Sequence, residues 1–388
     1  MTVNVSKPAI NVREKLAELD KPTGIAGEAM LRAETPQEQF NLISAGRRRI
    51  NLNGAMNVWQ RGTSFSSVSS VVYHSDRHQT YISNTATGVA TITKSTDVPN
   101  GFGSSYKLEV TTADTSLAIG AEYGLYYYFE GQDLQGMKKG TPDALPVTIS
   151  FWVKSSLQGK FVVELMDNDN SNRHCNKPYY INSANTWEYK TITFPPDTTG
   201  VLDNDNSNSF HFNFWHGGGT NYSGSSLQES WAALNQSARA DGQTNIYGTS
   251  GATWQVTGIQ LELGKVATPF EHRSYGEELA LCQRYYQKSY DIDSFAGDND
   301  GNGAIAFIPV STQDYVNTNF PISMRASPNI TVYRKNGGAT NQAQRADNAA
   351  AYLDVTVADI STRGFSVTPA TAVSNSHYRF HYLADAEL

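Results

Sequence analysis

Cysteine is almost absent: two in 388 residues, Cys175 and Cys282. They lie far apart without CxxC spacing, so neither a disulfide framework nor a cysteine-based zinc site is expected, and each reads as a small buried hydrophobe. Charge is sparse too, at 17% of residues, with 37 acidic against 30 basic side chains and a formal net charge of −7. A chain of that sign does not hold nucleic acid through a diffuse positive field. Its one basic run, Arg47-Arg48-Arg49, is expected on a solvated or subunit-contacting face. Long hydrophobic runs are also missing: nothing approaches the roughly 20 apolar residues of a membrane span, and "MTVNVSKPAINV" lacks the apolar core of a secretory signal. The expectation is a soluble protein, neither inserted in a membrane nor exported by a cleaved leader.

Catalytic signatures are missing as well. There is no GxSxG elbow, HExxH, P-loop, or GxGxxG following a strand. "DNDGNG" (298–303) matches the first half of a calcium loop through Asp298, Asp300, Asn302 and Gly303. Its twelfth position is Pro309 rather than glutamate, so a polar turn is expected. "YHSDRH" (73–78) spaces His74, Asp76 and His78 two apart, whereas a histidine pair at i and i+4 is diagnostic of a metal only on a helix. A structural role is expected there, with Asp76 and Arg77 locking a loop to the body of the protein. No catalytic residue, metal or cofactor is expected. A glycan hydrolase remains the rival reading, because its paired carboxylates meet in space rather than in sequence.

What is present is tyrosine, 21 of them, with 31 glycines, in short alternating runs. "YKLEVTT", "LYYYFE", "VTISFWVKSS", "KFVVELMD", "TWEYKTITFP", "SFHFNFWH" and "TWQVTGIQLELG" have the period of two of half-buried strands. Turn residues bound them, including "DNDNSN" at both 167–172 and 203–208. The fold expected is mainly β: an antiparallel β-sandwich of jelly-roll type over residues 47–274. Residues 1–46 differ. Asn11 and Glu14 cap a short helix striped by Val12, Leu16 and Leu19, and Thr35, Pro36 and Glu38 open a second that carries Phe40, Leu42 and Ile43. Helices this short are marginal alone, so an attachment arm that orders against a partner is expected.

"RSYGEELALCQRYYQ" (273–287) has helical spacing. Ser274 and Glu277 form a capping box, Leu279, Cys282 and Tyr286 make one stripe, and Leu281 and Tyr285 a second. This helix is expected to link the sandwich to a smaller C-terminal β module within residues 275–388, and to pack where subunits meet. In the sandwich, His211, Asn213 and Trp215 alternate with core-type phenylalanines; Trp152, Tyr126 and Tyr128 sit likewise opposite apolar partners. Such a face suits sugars, whose C–H faces stack on flat rings while amides take the hydroxyls. It suits a subunit interface equally.

Two landmarks resemble a known family. "NLNGAMNVWQRGTSF" (51–65) followed by "YHSDRH", and "WQVTGIQLELGKVATPFEHRSYGEELALCQRYYQ" (254–287), are similar to segments bracketing a carbohydrate-binding-module-like jelly roll in tailed-phage virion fibre and appendage proteins, especially those of marine phages. "FPISMRASPNITVY" (320–333) resembles a strand pair of their C-terminal module. The family has an aromatic residue after its "ADR", where this chain has His78. The resemblance implies a structural virion protein, usually a homotrimer, attached to other virion proteins by its N-terminus and displaying β modules toward host glycans. Attachment to the capsid, as a head fibre or decoration protein, is the alternative location.

Overall fold

The computed structural model describes Gln39 and residues 48–348, 350–371 and 376–388. The arm residues Val12, Leu16, Leu19, Phe40, Leu42 and Ile43 lie outside the described residues. The chain divides into two units, Met1–Arg48 and Arg49–Leu388, and the second carries all the strands of the described residues.

Its first twelve strands are β1 (Ser64–Val68), β2 (Val72–Tyr73), β3 (His78–Ile82), β4 (Val89–Ser95), β5 (Ser105–Thr112), β6 (Glu122–Glu130), β7 (Val147–Ser155), β8 (Gly159–Asp167), β9 (Arg173–Ile181), β10 (Glu188–Phe194), β11 (Asn208–Gly218) and β12 (Thr253–Leu263). They form two six-stranded antiparallel sheets, β1-β4-β5-β12-β7-β10 and β2-β3-β6-β11-β8-β9, here called sheet A and sheet B. The inward side chains of both meet in one core: Phe151 of sheet A lies 4.8 Å from Phe214 of sheet B, and Trp254 lies 5.7 Å from the same ring. Phe210, Phe212 and Phe214 are fully buried, so the alternation of "SFHFNFWH" places its phenylalanines inward as expected. Each such ring contributes about 1.5–3 kcal/mol through burial.

The two sequence landmarks clasp one another. Ile50 N donates to Leu261 O, Ile259 N to Gly54 O, and Asn51 bridges Ile259 O and Leu261 N through its amide. The approach is so close that a Cβ on Gly54 would lie 2.0 Å from Ile259 O. Gly258, at φ +66°, sits where β12 bulges away from β7.

Beyond the sandwich run β13 (Tyr286–Lys288), β14 (Ile305–Phe307), β15 (Val316–Asn319), β16 (Asn329–Arg334), β17 (Gln342–Arg345), β18 (Tyr352–Ser361), β19 (Gly364–Pro369) and β20 (Tyr378–Asp385). They form one eight-stranded sheet in which β20 pairs with β13, β14, β16 and β17.

The linking helix spans Tyr275–Gln283, capped by Ser274, whose hydroxyl accepts from Glu277 N at 3.3 Å. It is shorter than expected. Tyr285 and Tyr286 are not on it: Tyr286 belongs to β13, and pairing with β20 pulls the chain into extended form. Arg284 at its end is held by Glu130, at 2.8 and 2.6 Å. Cys282 and Tyr285 join the sandwich core of their own chain, with Leu279 and Leu281 half-buried beside it. Burial drives the Cys282 thiol well above its ordinary pKa, which leaves it an inert apolar group.

Arg49 is not solvated as its basic run suggested: it is buried against Glu278. The "SDRH" segment is a turn rather than an extended face, with Arg77 at φ +73°. Asp76 accepts from Gln60 N at 3.0 Å and from its amide. Arg77 pairs with Glu387 and lies 3.4 Å from the ring centroid of Tyr285. Arg61 reaches Asp385 at 3.1 Å and Glu387 at 3.4 Å. These motif arginines join the sandwich to the last residues of the C-terminal module. Asp298 and Asp300 are spent on their own turn, accepting from Phe295 N, Asn302 N and Ser294 Oγ. Among the described residues no helix is long and apolar enough to cross a membrane.

Candidate functional site

Antiparallel register sorts the side chains of sheet B into rows, because directly paired residues project to the same side. On the outer face Tyr126 pairs with Asn213, Asn213 with Glu164 and Glu164 with Asn176. The next row runs Tyr128, His211, Met166, His174, and the row on the other side Tyr81, Gly124, Trp215. Five of the six residues singled out in the sequence therefore share one face. Trp152 does not: it lies on β7, on the outer side of sheet A, opposite Tyr189.

Part of this face is sealed. Residues 219–245 cross it, tied down by His174 and Ala232, which bond in both directions, and by Asn176 N donating to Gln228 O. From that segment Arg239 donates to Glu164 in a fork, at 2.9 and 2.8 Å, while its guanidinium lies 5.0 Å from the Trp215 ring centroid. Trp215 Nε1, Asn176 and His174 supply three more bonds to the same carboxylate. Burial alone would raise the Glu164 pKa; the Arg239 charge and these donors override it and hold the carboxyl far below its usual range. Trp215, Asn213 and Glu164 are fully buried. Trp215 packs against Val162 and Ala240, so it cannot stack on a ligand arriving from solvent. Asn213 lies across Gly124, where a Cβ would come within 2.2 Å of its Oδ1.

What remains at the surface is a tyrosine cluster. Tyr81, Tyr128 and Tyr222 are half-buried, and Tyr126 and His211, each 5% exposed, lie just beneath. Ring centroids stand 5.3 Å apart for Tyr81 and Tyr126, 5.8 Å for Tyr126 and Tyr128, and 5.3 Å for Tyr128 and His211. The Tyr126 hydroxyl donates to Glu122, whose carboxylate is also 3.6 Å from Arg239. Burial keeps the Tyr126 and Tyr128 phenols protonated well above their ordinary range, with the Glu122 charge adding to it.

His211 Nδ1 lies 3.1 Å from Asn168 Oδ1, and Asn168 Nδ2 donates to Asn208 Oδ1 at 2.7 Å. That chain fixes the tautomer, because a carboxamide oxygen only accepts, so Nδ1 carries the proton. Burial pushes the His211 pKa down to about 3, and the imidazole is neutral. Asn168 and Asn208 come from the two "DNDNSN" turns, which interlock here: Asp203 N also donates to Asp169 Oδ2 at 2.9 Å.

Flat phenol faces, hydroxyls and amides are the groups that can stack on and hydrogen-bond to a sugar. Glu122 and Glu164 share one arginine, and Glu164 has no access to solvent. Among the described residues no cluster of metal-ligating side chains occurs. Sequence reasoning missed Tyr81, Glu122, Glu164, Asn168 and Arg239. The period-two pattern of "HQTYI" was a usable signal for Tyr81; a loop arginine that folds back over a sheet leaves none.

No protein-family model and no curated protein matches the sequence. Among solved structures, the enzymatically active domain of tailspike protein 4 of bacteriophage CBA120 aligns over 55% of this chain and 21% of its own, at 12% identity and a TM-score of 0.28. The matched part of this chain thus spans about a fifth of that domain's length. A putative sugar binding protein from Bacteroides thetaiotaomicron aligns over 56% of this chain and 100% of its own, at 10% identity and a TM-score of 0.30. The family 11 carbohydrate-binding module of a Clostridium thermocellum cellulosomal cellulase aligns over 55% and 99%, at 16% identity and a TM-score of 0.25.

Proposed function

We propose that the chain is a non-enzymatic structural component of a phage virion, a tail fibre or appendage, whose sandwich recognises host-surface glycan through the tyrosine face of sheet B. The observation that carries the glycan reading is the separation on that face. Its charges are buried and satisfied among themselves, while the half-buried Tyr81, Tyr128 and Tyr222 are turned outward. A face built this way stacks on apolar sugar surfaces without stripping water from an unpaired ion. The virion reading rests on the two landmark segments and their resemblance.

Replacing Tyr81 and Tyr128 together by alanine tests the glycan reading. The variant should be retarded less than the parent in native gels containing host-cell polysaccharide while its melting temperature stays within a few degrees of the parent. Unchanged retardation on that polysaccharide sinks it. Release of reducing ends by the purified protein would overturn the non-enzymatic reading. Sedimentation tests the homotrimer, and imaging labelled particles distinguishes tail from capsid attachment. Deleting residues 1–46 should abolish incorporation while leaving folded protein.

A further inference from the structure

The outer face of sheet A is built on a different plan. β10 pairs with β7 so that Tyr189 stands opposite Trp152, and Trp187 and Lys154 follow on the same side of the pleat. Tyr189 is 45% exposed, and both tryptophans are half-buried. The Trp152 and Tyr189 rings, with centroids 5.3 Å apart, incline at 49° to each other and form a shallow trough. The Phe102 ring packs over Gly258 beside Trp152 and bounds the trough there: a Cβ on Gly258 would come 2.7 Å from Phe102 and 3.3 Å from Trp152.

One wall of the trough is an ion pair. Asp97 accepts from Lys154 Nζ at 2.5 Å, from Trp187 Nε1 at 3.0 Å and from Gln255 Nε2 at 3.4 Å. The bond from Lys154, more than any other cause, keeps this carboxylate below its ordinary pKa. The Asp97 side chain is nonetheless 45% exposed. The surface therefore offers tilted apolar rings bordered by an adjacent acceptor and donor, both charged.

We propose that this trough is a second carbohydrate-binding surface, on the opposite side of the sandwich from the tyrosine face, taking a sugar that carries vicinal hydroxyls. One hydroxyl donates to Asp97, its neighbour accepts from Lys154, and the C–H face of the sugar lies on Trp152 and Tyr189. The chemistry favours a sugar over a second copy of the chain. A flat protein surface closing here would strip water from a partly exposed ion pair and would have to match each of its hydrogen bonds to offset that loss. A diol substitutes for that water bond for bond. The surface shares with the proposed function only the premise that the chain binds glycans; its residues are separate.

The experiment compares three variants of the full chain: Trp152→Ala with Tyr189→Ala, Tyr81→Ala with Tyr128→Ala, and all four together. Affinity electrophoresis is run in gels containing mannan, galactan, a β-glucan or host-cell polysaccharide. The expected result is that the sheet B pair leaves residual retardation, which the four-fold variant loses with at least a tenfold rise in apparent Kd. In the sheet B pair, polysaccharide should also shield the half-buried Trp152 and Trp187 from acrylamide quenching. Asp97→Asn, which keeps the shape and weakens the ion pair, should move in the same direction and guards against a simple folding defect. Full loss of binding in the sheet B pair alone, or identical binding by that pair and the four-fold variant, overturns the second surface and leaves the proposed function standing. A subunit dissociation in sedimentation on Trp152→Ala with Tyr189→Ala assigns the trough to a second copy and also overturns it. Absence of retardation for the parent chain in every gel overturns both readings.

Discussion

The sandwich and the C-terminal module are both antiparallel, yet they are held together by different means. In the sandwich two full sheets close on a core of large rings, Phe151, Phe161, Phe212, Phe214 and Trp254, all without exposure. The C-terminal module has one sheet and a smaller core around Val332, Phe365, Val367 and Phe380. Four of its strands have only three or four residues, and it leaves Val310 and Tyr315 each 65% exposed. What it lacks in core it replaces at its border with the sandwich. Asp385 and Glu387 are taken by Arg61 and Arg77, and Tyr73 donates its hydroxyl to Leu388 O. A module with a thin core is thus stabilised by charges supplied from its neighbour, which puts the weak point of the chain at the junction.

Acid should separate the two modules most sharply. His78, His211 and His216 are buried in the sandwich, and burial pushes each down to about 3. The unfolded chain takes up their protons near pH 6.5 and the folded chain does not, so stability is full above that value and falls as the pH drops toward 3. Each histidine contributes a loss on the order of 3 kcal/mol between pH 6.5 and 4, and three together rival the whole stability of a typical domain. All six tryptophans lie before residue 255, so their fluorescence should report cooperative loss of the sandwich near pH 4. A flat signal from pH 7 to 3 would count against it.

Next in size is Arg77→Ala, which removes the closer of the two arginines on Glu387, leaving Arg61 at 3.4 Å, and empties the buried space against the Tyr285 ring. We expect about 3 kcal/mol of destabilisation, with hydrogen exchange accelerating across residues 286–388 while the core of the sandwich stays protected. Equal acceleration in both modules would show that they unfold as one. Cys282→Ala should cost only about 1 kcal/mol and leave polysaccharide binding intact; loss of binding would mean that the helix reaches the glycan site. Smallest is Ser274→Ala, which removes one cap bond at 3.3 Å. It should lower stability by about 0.5–1 kcal/mol in a denaturant titration, and a larger loss would give this helix more of the junction than its packing suggests.

Much of the fold was legible because the core strands alternate strictly: "SFHFNFWH" and "LYYYFE" declare both their faces. Which faces belong together was not. Trp152 carries the same local pattern as Trp215, and only the strand order of the two sheets places them on opposite sides. Exposure was hidden as well, since the segment that seals Trp215 comes from residues 219–245, which have no periodicity of their own. The helix was misjudged at its end for a related reason. Tyr285 and Tyr286 continue the helical spacing, but pairing with a strand nearly a hundred residues later overrides it.

The clasp between residues 50–54 and β12 has one more consequence, for the order in which the chain can fold. β12 lies in the middle of sheet A, between β5 and β7. Until residue 263 has left the ribosome, that sheet exists as two separate fragments with open edges, and the opening segment has nothing to clasp. The sandwich therefore closes late, in a single long-range step, and the nascent chain is most exposed to aggregation just before that step.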